Sequence, residues 1–95
     1  MNNNKQKELY AEVLETLIEH LQKRNDVQNI DLMNLSGFCR NCLSKWYHSA
    51  AEKRNIDISY EEAREKIYGM PYSKWKEKYQ TAATKEQLDK LKSNN

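Results

Sequence analysis

Cys39 and Cys42 are the only cysteines in the chain, and they stand three apart within the stretch GFCRNCLSKWY, residues 37–47. A C-x-x-C pair can hold a metal, cycle between dithiol and disulfide, or pack as two small hydrophobes. A structural zinc site takes four ligands, and the sequence offers neither a second C-x-x-C nor a paired-histidine motif. Zinc or iron at Cys39 and Cys42 therefore calls for a homodimer that brings four thiolates together across a two-fold axis. No other cofactor is expected. Redox chemistry needs a thiolate stabilised by a helix N-terminus or by nearby cations, for which Arg40 and Lys45 are the candidates.

Helical arithmetic weighs against these sites. At about 100° per residue, Cys39 and Cys42 lie about 60° apart, whereas His48 lies about 180° from Cys39 and about 120° from Cys42. His48 then shares a polar face with Arg40 and Ser44, and both Arg40 and Lys45 point away from the thiols. His20 reads as a surface residue of an earlier helix. No strand-helix-strand pattern surrounds the motif, as a thioredoxin-like context requires. The leading account is core packing of both cysteines with Leu35, Phe38, Leu43 and Trp46, because free cysteine is among the most buried residue types.

The elements that position these residues are helical. Charged residues make up 32% of the chain, with two glycines and one proline, a composition rich in helix formers and poor in turn punctuation. It predicts an all-α fold, a small bundle of four to five short helices in a single domain over residues 1–95. Residues 1–6 are polar and predict a disordered end. From Lys7 onward Tyr10, Val13, Leu14, Leu17, Ile18 and Leu21 recur at intervals of three and four, opposite Glu8, Glu12, Glu15 and Glu19.

Residues 25–29 are turn formers, and Asp31 is the expected N-cap of a second helix reaching about Lys53. Within it Gly37 marks a close backbone approach; the alternative is a break there that puts Cys39 in the first turn of a new helix. Ser59 and Glu62 form a capping box for a third helix, which Gly69 ends. Pro71 opens a fourth, carrying Tyr72, Trp75 and Tyr79. Thr84 and Gln87 repeat the capping pattern for a loosely packed last helix within 81–95.

A chain of 95 residues buries only about 60 to 65% of its unfolded surface, which leaves little room for an enclosed substrate pocket. Enzyme activity is accordingly not expected. Trp46, Tyr47, Tyr72, Trp75 and Tyr79 exceed what short helices can cover, so they form the candidate interaction surface and point to a homodimer or another protein partner. Sixteen basic and fourteen acidic residues give a net charge of +2, too balanced to indicate a dedicated phosphate-backbone binder. Lys74, Lys76 and Lys78 beside Trp75 and Tyr79 leave single-stranded nucleic acid as a less favoured partner. No run approaches the roughly 18 apolar residues of a membrane span and no apolar signal region follows the N-terminus, so a cytoplasmic protein with no membrane partner is expected.

GFCRNCLSKWY, together with YGMPYSKWKEKYQ at 68–80, resembles a small bacterial family catalogued as domain of unknown function 1244, from near Ile30 to Gln80. The resemblance implies a compact helical protein and sets Cys39 and Cys42 at the family's C-x-x-C. It carries over no activity, substrate or catalytic residue. The expected function is a protein-binding or regulatory module; the alternative is a metal-binding or thiol redox protein using Cys39 and Cys42, with the site shared across a homodimer.

Overall fold

The apolar periodicities close into six α-helices among the described residues, 1–94, of a computed structural model. These are α1 (Asn3–Gln22), α2 (Asn29–Ser36), α3 (Arg40–Lys53), α4 (Tyr60–Tyr68), α5 (Tyr72–Tyr79) and α6 (Lys85–Ser93). The fold is all-α as expected. The count exceeds four to five because the long second helix divides at Gly37.

Each boundary has a local chemical cause. α1 starts at Asn3, ahead of the expected Lys7, because the Asn2 side chain accepts the Lys5 N–H at 2.8 Å. α2 starts at Asn29, so Asp31 is not its N-cap; it sits in the first turn, where its carboxylate accepts the Gln28 N–H at 3.3 Å. Gly37 ends α2 in the left-handed region at φ 81°, its N–H donating to Met33 O at 2.9 Å. A Cβ built there would meet nothing within 4 Å, so the glycine serves the turn and not the close approach expected of it. Close approach occurs at Gly69 instead, where a Cβ would stand 2.8 Å from Gln22 Cδ. The capping box expected of Thr84 and Gln87 forms, at 3.1 and 2.8 Å; the one expected of Ser59 and Glu62 is half made, since Ser59 Oγ accepts the Glu62 N–H at 3.1 Å but the Glu62 carboxylate accepts the Ser59 hydroxyl at 3.2 Å and not its N–H.

α3 and α4 share the most extensive contact, and the small side chains Ala51 and Ala63 are buried on them. α1 and α5 both lean on α4, while α6 lies along α2. Leu21, Leu43, Ile67, Tyr68 and Trp75 form the core, with Phe38, Met70 and Tyr79 packed against it. α6 is held by polar contacts: Gln87 Nε2 donates to Asp31 at 2.8 Å and Asn34 Nδ2 donates to Gln87 O at 3.1 Å. None of the α6 side chains is fully buried.

The molecule measures 47 × 28 × 24 Å with a radius of gyration of 15.1 Å, against about 12 Å for a compact chain of this length. α1 accounts for the elongation, since of its 20 residues only Leu21, near the C-terminal end, is buried.

Arg40, expected on a polar face, is 1% exposed. Its guanidinium donates to Arg24 O and Val27 O, both at 2.8 Å, and to Asn29 Oδ1 at 3.0 Å. It also lies 5.0 Å from the centroid of the Trp75 ring, an attractive cation–π position. The guanidinium therefore satisfies carbonyls at the α1–α2 connection that no helix can satisfy. Trp75 closes the same region from the other side, its indole N–H donating to Asn25 Oδ1 at 2.9 Å. Replacing Arg40 with Met takes the guanidinium donor from Val27 O and leaves Arg24 O with only the Val27 N–H, and is expected to destabilise the fold by about 1 to 3 kcal/mol in urea denaturation. Unchanged stability of R40M would show that water can replace the guanidinium.

Candidate functional site

The break at Gly37 sets the geometry of the cysteines. Cys39 is the N-cap of α3, in extended conformation at φ −143° and ψ −175°, and Cys42 lies in the first turn with its N–H donating to Cys39 O at 3.0 Å. The alternative of a helix break is the one realised, with Cys39 half a step outside the helix. Both thiols are free; Cys39 is 7% exposed and Cys42 is half-buried.

Two effects oppose each other at Cys39. Burial is the larger and pushes its thiol above the ordinary range, and the adjacent Cys42 thiol acts in the same direction. The N–H groups of Asn41 and Cys42 face the sulfur and favour its thiolate, without making a capping hydrogen bond to it. Cys39 is thus held as a thiol at neutral pH.

The two residues between the cysteines anchor the motif. Arg40 grips the α1–α2 connection, and Asn41 Oδ1 accepts the Tyr68 hydroxyl at 2.8 Å. That hydroxyl in turn accepts from Asn29 Nδ2 at 3.0 Å, and Asn29 Oδ1 accepts from Arg40. A continuous polar chain, Arg40–Asn29–Tyr68–Asn41, therefore joins the starts of α2 and α3 to the end of α4. Ser44, also expected on the polar face, is buried with its hydroxyl donating to Arg40 O at 2.9 Å. Sequence reasoning missed these positions because it ran one helical register through Gly37.

The histidines do not join the thiols. His48 pairs with Glu52 at 3.0 Å, its ring 6.1 Å from that of Tyr60, and His20 is exposed on α1. Among the described residues, no group of three or more His, Cys, Asp or Glu side chains is arranged to hold a metal. A zinc or iron site shared with a second subunit would have to reach Cys39, which is 7% exposed.

The aromatics separate into core and surface. Trp75, expected at an interaction surface, is fully buried between Arg40 and Tyr68, with ring centroids 5.1 Å apart for the Tyr68 pair. Tyr72 and Tyr79 are half-buried against the same cluster. Trp46 is 60% exposed over Phe38, and Tyr47 overhangs a shallow apolar groove of about 250 Å³ with Ala50, Ile56 and Ile58. A second apolar surface runs along α1, where Leu9, Tyr10, Val13 and Leu14 are exposed and Leu17 and Ile18 half-buried. No helix among the described residues is long and apolar enough to cross a membrane.

A family model described as "Protein of unknown function (DUF1244)" matches residues 27–93, which takes in α2 to α6 with the C-x-x-C and leaves α1 ahead of it. No curated protein matches the chain.

Burial also pushes the Tyr68 phenol well above its ordinary value. Cys39 and Tyr68 both bind their protons more tightly folded than unfolded. Their contribution is thus complete below the ordinary thiol and phenol values, about 8.5 and 10, and is lost as pH rises beyond them. Stability is expected to fall from about pH 9 upward. Tyr68→Phe is expected to cost about 1 to 2 kcal/mol at pH 7 and to flatten the fall above about pH 10. Urea denaturation at both pH values checks this; an equally steep alkaline fall in Y68F would remove Tyr68 from the account.

Proposed function

We propose that this chain, which belongs to the DUF1244 family of proteins of unknown function, is a protein-binding module that self-associates through the exposed face of α1. The observation that carries this reading is the stripe Leu9, Tyr10, Val13 and Leu14, with Val13 68% exposed, on a helix that projects from the folded body. The same stripe enters the core at Leu17 and Leu21, so helical phase alone keeps it in line with a packing surface. Helices in proteins draw most of their stability from packing an amphipathic face, and contiguous apolar patches on soluble proteins mark binding sites.

A second copy of the chain suits the face better than the alternatives. By helical phase Glu8, Glu12, Glu15 and Glu19 lie on the far side, so two stripes can meet without opposing like charges. A membrane-surface helix would carry a basic polar face, and this one is acidic. The stretch free to pair is the exposed one around Leu9 to Leu14, since Leu17, Ile18 and Leu21 already pack in the core, so a specific interface of about 1,000 Å² or more would also draw in surface beside α1. Because α1 precedes the matched segment, this binding property belongs to this chain and is not carried by the family match.

Sedimentation velocity is expected to show a dimer at micromolar concentration. Val13→Glu should weaken it at least about tenfold, the cost of one buried unpaired charge, while Trp46→Glu leaves it intact. A monomeric wild type sinks the reading, and disruption by W46E but not V13E moves the interface to α3.

A further inference from the structure

The C-x-x-C pair supports chemistry that the α1 interface does not use. Cys39 and Cys42 are one helical turn apart, which sets their Cα atoms about 5 Å from each other, inside the range of about 4.4 to 6.8 Å that a disulfide spans. The extended backbone of Cys39 frees its side chain from the helical direction, and its thiol lies beside that of Cys42. Neither thiol is committed to a disulfide or to a metal-ligating group of described residues. Arg40 and Asn41 hold the motif on both sides of the turn, so closing the bond demands little movement of the backbone.

We propose that Cys39 and Cys42 form a dithiol that closes to a disulfide by exchange with low-molecular-weight disulfides, Cys42 reacting first and Cys39 resolving. Accessibility sets the order: Cys42 is half-buried, while Cys39 is covered. The Cys42 thiolate attacks one sulfur of the small disulfide, forming a mixed disulfide and releasing one small thiolate, which takes up a proton. Cys39 then gives up its proton to solvent and attacks Cys42 Sγ, expelling the second small thiol. The protein loses two protons and two electrons, and one small disulfide takes them up to become two thiols. This order is the reverse of a pair whose first cysteine is the exposed one, and it follows from Cys39 lying at the buried N-cap position.

The test uses the full chain with oxidised and reduced glutathione over a range of ratios, acid quenching, alkylation and intact-mass measurement. The expected product is two hydrogens lighter than the reduced protein, takes up no alkylating agent and reverts with dithiothreitol. Cys39→Ser, a substitution a helix N-cap favours, should stop at a single glutathione adduct on Cys42. Cys42→Ser should react at least about tenfold more slowly, because only the covered thiol remains; circular dichroism confirms that both variants fold. The proposal is overturned if the wild type stays reduced, stops at a mixed disulfide, or forms only disulfides between chains. It is equally overturned if C42S reacts as fast as the wild type. A monomeric protein that still closes the disulfide retains this inference while losing the α1 interface.

Discussion

A buried guanidinium without a carboxylate partner is the constraint on which the rest of the fold depends. Arg40 enters the interior only because backbone carbonyls at residues 24 and 27, the Asn29 side chain and the Trp75 ring offer it a complete set of partners. Desolvation lowers the affinity of the guanidinium for its proton, yet an arginine stays charged. The folded state must therefore keep these acceptors in place together, since losing one leaves a buried charge under-satisfied. That requirement links the α1–α2 connection, the start of α3 and the middle of α5, which are distant in sequence.

The position of the thiols follows from this anchor. The residues separating the cysteines are Arg40 and Asn41, and both are tied into the polar chain that ends on Tyr68. The C-x-x-C is thus a rigid turn whose interior positions do structural work while its outer positions carry sulfur. Burial and the helix N-terminus pull the Cys39 thiol in opposite directions, and burial prevails. The result is an asymmetric pair, one cysteine covered and protonated, the other half-buried.

The molecule consequently has two levels of organisation. A body built from α2 to α6 coincides with the segment matched by the family model, and α1 reaches out from it as a lever fixed at one end by Leu21 and by Gln22, whose amide donates to Ile67 O at 3.1 Å. The lever presents apolar surface and the body holds the two thiols, so the proposed association and the proposed thiol chemistry would occupy separate parts of the chain.

Local rules made much of this legible. The all-α class, the stripe of α1, the caps at Ser59 and Thr84 and the end of α4 at Gly69 all rest on interactions within a few residues, which spacing reveals directly. Gly37 was ambiguous, because a glycine in an apolar periodicity can signal either close packing or a left-handed stop, and only the empty space around its α-carbon decides between them. Once the helix breaks there, the register of everything after it changes, and Arg40 and Ser44 move from an expected polar face into the interior. Trp75 left the expected interaction surface for the same kind of reason: its partners, Arg40, Tyr68 and Asn25, come from three other segments. By itself the sequence determined which segments are helical and where most of them end. Which side chains satisfy carbonyls far away in the chain, and hence which cysteine is covered and which is half-buried, was decided by tertiary structure alone, because hydrogen bonds between distant segments leave no periodicity to read.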